Sequence, residues 1–95
     1  MITVISELSL KPGKLSVFIE GWAEIVEEYR KEPACHAYNV FVDKNNENVC
    51  FMIGKWDDEQ AYQNHLESPA YKRAYTYSIG WLTREPETVI CRKVI

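Results

Sequence analysis

CHAYNVFVDKNNENVCFMIGKW, residues 35–56, decides the fold. Two runs rich in β-branched, aromatic and other apolar residues flank the polar stretch Asp43-Lys44-Asn45-Asn46-Glu47-Asn48. A short polar connection between such runs predicts a hairpin, with strands over residues 35–43 and 49–56. Successive side chains of a strand point to opposite faces. Ala37 and Phe41 therefore oppose Tyr38 and Val40, and Val49 and Phe51 oppose Cys50 and Met52. A strand with one wet face alternates apolar with polar, so this hairpin is expected to be covered on both faces.

Towards the N-terminus, residues 2–10 form another strand: Ile2, Val4, Leu8 and Leu10 point one way, and Thr3, Glu7 and Ser9 the other. Lys11-Pro12-Gly13-Lys14 ends it with two breakers. Leu15, Phe18, Trp22, Ile25 and Tyr29 then recur at spacings of three and four, the stripe of an amphipathic helix. Glu20, Glu24, Glu27 and Glu28 lie off the stripe on a solvated face, with Glu27 and Lys31 placed for an i,i+4 pair. Pro33 stops the helix.

Towards the C-terminus, Asp57 is an N-cap candidate with Gln60 three residues on, the capping-box spacing. This helix breaks near Glu67 and restarts with Ser68 as cap and Pro69 in the first turn. Tyr71, Ala74, Tyr75 and Ser78 share one face of the restarted segment. Glu85-Pro86-Glu87 is a turn, and Thr88 to Ile95 reads as a last strand, again apolar on both faces. The order β-α-β-β-α(α)-β predicts an α+β, ferredoxin-like βαββαβ domain over residues 1–95, a four-stranded antiparallel sheet with its helices on one face. Short helices cover one face only. The apolar residues of the other exceed the few hundred Å² that a soluble monomer exposes, so a homodimer packed sheet to sheet is expected.

With 95 residues the chain is one domain with a thin core. Its net charge of −3, with scattered Lys and Arg, argues against a nucleic-acid partner. No apolar run approaches the ~20 residues of a membrane span. The N-terminus passes directly into strand pattern, so no signal peptide is expected. Cys35, Cys50 and Cys91 are an odd number without metal-ligand spacing. They are expected to be reduced core residues of a cytoplasmic protein that holds no metal.

Four stretches resemble the antibiotic biosynthesis monooxygenase family of dimeric α/β-barrel proteins: Leu10-Lys11-Pro12-Gly13-Lys14; Glu32-Pro33-Ala34-Cys35 with Tyr38; Trp56-Asp57-Asp58; and His65-Leu66-Glu67-Ser68-Pro69-Ala70-Tyr71. Two positions depart from the family pattern. Ala34 stands where Gly is usual, and Gly54 replaces a Glu at the end of the third strand. The family includes cofactor-independent monooxygenases of quinols and polycyclic phenols, haem-degrading enzymes, an isomerase of quorum-signal breakdown, and members without known activity. The resemblance thus implies the dimeric barrel without fixing one reaction.

His65, close to the helix break, is the candidate catalytic residue, a general base for a dihydroxyaromatic substrate that would then reduce dioxygen without a cofactor. The competing reading is a His that caps backbone groups at the break. Tyr71 and Tyr75, one turn apart, are candidate substrate-binding residues or core residues. Trp56 is a packing anchor for the strand–helix junction or a substrate-stacking wall. Asn39 and Ser6, polar in apolar strands, are the remaining binding candidates, with Ser6 expected on the helix side. His36 reads as exposed and without a role. At the places where haem-degrading relatives have Asn, Trp and His, this chain has Ser6, His65 and Tyr75, so haem is not expected. The polyketide-oxidising relatives' Asn, Trp and Tyr fall at Ala61, His65 and Tyr71, and only the Tyr is kept. Three functions follow from the resemblance: monooxygenation of a quinol or phenol, isomerisation of a small hydroxyketone through His65, or non-catalytic binding of a small aromatic or hydrophobic molecule, as in a stress-response module.

Overall fold

A computed structural model describes all 95 residues. Strand β1 (Ile2–Ser9) leads to helix α1 (Leu15–Arg30) and then to the hairpin of β2 (Cys35–Asp43) and β3 (Asn46–Trp56). Helices α2 (Glu59–Leu66) and α3 (Pro69–Ile79) follow, and β4 (Glu87–Arg92) closes the chain. The four strands form one antiparallel sheet in the order β2-β3-β1-β4. This is the ferredoxin-like α+β fold expected from the element order.

The register divides the sheet into two faces. Val4 lies across from Gly54 and Ile90, Leu8 from Cys50, and Val40 from Met52. These residues share the helix side, where Val4, Leu8, Cys50, Met52 and Trp56 are buried with Phe18, Trp22, Val26 and Tyr29 of α1. The stripe predicted for α1 is the buried one, with Val26 more deeply buried than the neighbouring Ile25. The opposite face carries Ile5, Ile53, Phe51, Phe41 and Val89. No element of the chain covers it, and the molecule is only 19 Å thick along its short axis.

Four local expectations are corrected. The hairpin turn is tighter than the polar run suggests: Asp43 pairs with Asn46, so β3 begins three residues early. Asp43 Oδ1 accepts from the Asn45 amide at 2.8 Å and closes the two-residue link. The α2 cap is Asp58, whose carboxylate accepts from the Ala61 amide at 2.8 Å, rather than Asp57. Asp57 is held back because its amide donates to Ala34 O at 3.0 Å and its carboxylate pairs with His36. Strand β4 spans Glu87–Arg92 instead of running to Ile95, because its partner β1 begins at Ile2, opposite Arg92. Glu27 pairs with Arg30 at 3.1 Å, one position before the expected Lys31. The break between α2 and α3 forms as predicted, with Ser68 Oγ accepting from the Tyr71 amide at 3.1 Å and Pro69 opening the helix.

Candidate active site

The helix face of the sheet does not close completely against the helices. A cavity of about 90 Å³ remains between β1, β3, α1, α2 and α3, partly open to solvent. Strand alternation brings Ser6, Gly54 and Trp56 to it, α1 contributes Trp22 and Tyr29, and α2 contributes Tyr62 and His65, one turn apart. Its side along α3 is the row Tyr71, Ala74, Tyr75 and Ser78, the face that helical spacing predicts.

His65 is the centre of this arrangement. Its side chain is 3% exposed. Its ring lies 4.3 Å from that of Trp56 and 4.4 Å from that of Tyr29, with Tyr71 at 5.5 Å and Tyr62 at 6.2 Å between centroids. Nδ1 is 2.8 Å from Oε2 of Glu32, which follows α1 and precedes Pro33. An ionised carboxylate only accepts, so Nδ1–H donates and the lone pair sits on Nε2. Nε2 has no partner within the protein and is not fully sealed, and His65 is one of the residues that line the cavity. Burial holds the imidazole below its ordinary pKa, while the Glu32 charge and hydrogen bond pull the other way. The ring is thus a neutral base near pH 7, with a carboxylate in place to stabilise the imidazolium once a proton is taken. This differs from the expectation of a backbone-capping His: the helix break is satisfied by Ser68 and by main-chain bonds, and His65 bonds to a side chain instead.

The other cavity groups are neutral donors. The hydroxyls of Tyr29, Tyr38, Tyr62 and Tyr71 make no hydrogen bond to the protein. Burial, with help from their neighbours, raises the pKa of all four, so they stay protonated and available to donate. Ser6 and Thr88 share a hydrogen bond of 2.9 Å, with Ser6 on the helix side as expected. Trp56 is 1% exposed and acts as both packing anchor and cavity wall. Tyr75 is 41% exposed, so it stands at the mouth, where its hydroxyl donates to Glu85 at 3.3 Å. A base facing a ring of neutral donors suits a ligand that loses a proton in the site, because the donors meet the developing anion without a competing fixed charge.

Asn39 is not brought to the cavity. It lies across from Ile53 on the outer face and accepts from Arg30 at 3.3 Å. His36 is exposed, as expected. Glu32, Trp22, Tyr29, Tyr38 and Tyr62 are site residues beyond those expected from the sequence. Tyr62, three residues before His65, had a helical-spacing signal; Glu32, 33 residues away, had none. Gly54 also has a definite steric role. A Cβ there would lie 2.9 Å from Trp56 Nε1 and 2.9 Å from Tyr38 Cδ2, so the absent side chain lets both rings meet over the strand. No group of three or more His, Cys, Asp or Glu side chains is placed to hold a metal ion. No helix is long and apolar enough to cross a membrane.

Comparison with known proteins agrees with this architecture. The family model described as antibiotic biosynthesis monooxygenase matches residues 1–77. A crystal structure of an antibiotic biosynthesis monooxygenase, 26% identical, superimposes with a TM-score of 0.92 over 100% of both chains. The probable quinol monooxygenase YgiN of Escherichia coli K12 is 28% identical over 89 residues, 83% of this chain and 85% of its own. The uncharacterized protein sll1783 of Synechocystis is 26% identical over 94% of this chain, which spans only 60% of that relative's length.

Proposed function

The chain belongs to the antibiotic biosynthesis monooxygenase family, and from that membership and the geometry around His65 we propose that it oxidises a quinol or related dihydroxyaromatic molecule with dioxygen and no cofactor. The single observation that carries the reading is the buried His65, paired with the partly exposed Glu32, beside a cavity whose other polar groups are neutral donors. His65 Nε2 takes a phenolic proton while Glu32 holds the resulting imidazolium. The tyrosine hydroxyls and the cavity walls orient the electron-rich phenolate. The anion passes an electron to dioxygen, and the two radicals combine on the ring. Overall, a 1,4-dihydroxyarene and dioxygen give a hydroxyquinone and water. One oxygen atom enters the ring, and the other leaves as water with two hydrogens from the substrate.

Family membership also supports a second copy of the chain as the cover for the outer sheet face, completing a barrel, with the cavity left on the helix side of each protomer. Aerobic oxygen uptake with a panel of benzo- and naphthoquinols tests the activity. Turnover above the buffer rate that falls about 100-fold or more in His65→Gln is expected for a lost general base. Turnover of a hydroxyketone that persists under argon would favour proton shuttling by His65. Ligand binding with no turnover of either kind would leave a binding protein.

A further inference from the structure

We propose that the cavity selects ligands with oxygens on two adjacent carbons, one deprotonated by His65 and the other held by the tyrosine hydroxyls beside it, over isomers whose oxygens lie at opposite ends of a ring. The cavity is divided in its hydrogen bonding. At the His65 end the hydroxyls have no partner in the protein; at the far end they are paired. The unpaired set is compact. The rings of Tyr29, Tyr71 and Tyr62 lie 4.4, 5.5 and 6.2 Å from that of His65, and Tyr38 follows at 5.0 Å from Tyr29. All four tyrosines line the cavity, and none of their hydroxyls is fully sealed. Burial raises the pKa of each. Mutual repulsion adds to it: Tyr29 feels Tyr38, Tyr71 and Tyr62, Tyr38 feels Tyr62 and Tyr71, and Tyr62 feels Tyr71. Such repulsion acts between the oxygens, so the hydroxyls are neighbours as well as the rings.

The paired set lies well away from His65. Trp56, whose ring is 4.3 Å from His65, marks one end of the sheet wall. Register places Ser6 opposite Met52, four residues along β3 from Trp56, or about 13 Å at the rise of a strand. There Ser6 and Thr88 share their hydrogen bond of 2.9 Å. On α3, Ser78 stands seven residues beyond Tyr71, or about 10 Å at the rise of a helix. Its hydroxyl donates to the Tyr75 carbonyl at 3.1 Å.

A ligand oxygen taken out of water needs a donor, and breaking a bond already made in order to serve it returns little. A ligand with one hydroxyl on His65 finds unpaired donors for a second oxygen on the next carbon. An oxygen across the ring is carried away from His65, towards groups that are paired or apolar. The inference rests on the quinol reading for the ligand class and narrows it towards 1,2-dihydroxyarenes. The oxygen balance is the same: a 1,2-dihydroxyarene and dioxygen give a hydroxylated 1,2-quinone and water.

The test measures binding of 1,2- and 1,4-dihydroxynaphthalene, isomers that differ only in where the second oxygen stands, under argon so that no oxidation occurs. The wild-type protein should bind the 1,2 isomer about tenfold more tightly, since one isomer gains a neutral hydrogen bond and the other leaves an oxygen poorly met. Tyr29→Phe, Tyr38→Phe, Tyr62→Phe and Tyr71→Phe are then compared singly. Their hydroxyls have no partner in the protein, so the substitutions remove no hydrogen bond of the folded chain. At least one should cut the preference about threefold or more. Equal binding of the two isomers, tighter binding of the 1,4 isomer, or a preference that survives all four substitutions would overturn the proposal. The wild-type comparison stands whether or not a variant folds. A preference for the 1,2 isomer without oxygen uptake in air would keep this inference and remove the monooxygenase reading. Oxygen uptake that depends on His65, with no preference between the isomers in binding, would do the reverse. Binding of neither isomer overturns the inference and leaves the monooxygenase reading to the oxygen-uptake panel.

Discussion

Replacing Glu32 with Gln keeps the side-chain shape and deletes the charge that faces His65. The two groups are 2.8 Å apart, with His65 3% and Glu32 28% exposed. A hydrogen bond to a charged group contributes about 1.5–3 kcal/mol, and the partial exposure of Glu32 places this one at the lower end. About tenfold is therefore expected to be lost from kcat/KM, since about 1.4 kcal/mol is a factor of ten. The sign of the accompanying pH effect follows from the same pair. Burial pushes the imidazole pKa down and Glu32 pulls it up, so removing Glu32 lets it fall further. The acidic limb of the rate profile, where His65 protonates, should move to lower pH even as the plateau drops. An independent reading needs no substrate. The chain has only two histidines, so His36→Gln leaves a single imidazole whose ring protons can be followed by NMR. Titration of His65 at lower pH in Glu32→Gln than in the parent is the expected result. An unshifted titration together with unchanged kcat/KM would refute the coupling and, with it, the role of Glu32 in holding the imidazolium.

Three further outcomes follow from the packing. Because the folded His65 resists protonation while the unfolded one titrates near its ordinary value of 6.5, the unfolded state binds more protons as the pH falls. Thermal stability should therefore decline as the pH is lowered through about 6.5, and His65→Gln should flatten that decline in a calorimetric pH series. Gly54→Ala places a methyl group 2.9 Å from both Trp56 and Tyr38, and should destabilise by about 1–3 kcal/mol in urea unfolding. Ile53→Asp sets a charge in the middle of the outer face. Sedimentation should show a dimer for the parent and a monomer for the variant at micromolar concentration; a monomeric parent would end the barrel proposal.

The fold was legible because its determinants are local or periodic. The two-faced hairpin, the α1 stripe and the Ser68-Pro69 restart each need only neighbouring residues to be read. What was misread turned on partners distant in sequence. Asp57 and Asp58 are equivalent as caps until His36 engages the first of them. The end of β4 is set by where β1 begins, 90 residues earlier by register. The site shows the same division. His65, Trp56, Ser6, Tyr71 and Tyr75 were singled out from strand and helix positions, and all line the cavity. Asn39 was singled out on the same grounds but has the wrong strand parity, since alternation assigns it to the face with Ala37 and Phe41. Glu32 was beyond such reasoning because no periodicity links the end of one helix to the middle of another. Trp22 and Tyr29 read as core, and they are core. The Tyr29 hydroxyl gains meaning only once the cavity beside it is known.

The size of that cavity constrains how any substrate is taken up. At about 90 Å³ it is smaller than the engineered cavity of about 150 Å³ that holds one benzene. A two-ring quinol therefore cannot be fully enclosed by the arrangement described. The cavity walls differ in how much they can give. Trp56, Tyr29, Phe18 and Trp22 are buried, the half-buried Tyr77 stacks on the last two, and Gly54 has no side chain to withdraw. Tyr75 is exposed, and only its hydroxyl is tied, through two long contacts of 3.3 and 3.4 Å to Glu85. Adaptation should thus fall on the mouth, at Tyr75 and the adjoining Glu85-Pro86 turn, while the base and the donors stay where they are. That division is favourable for catalysis. The groups that must meet the reacting oxygens within a fraction of an ångström sit on the rigid side, and the cost of opening is confined to a side chain that the chemistry does not use.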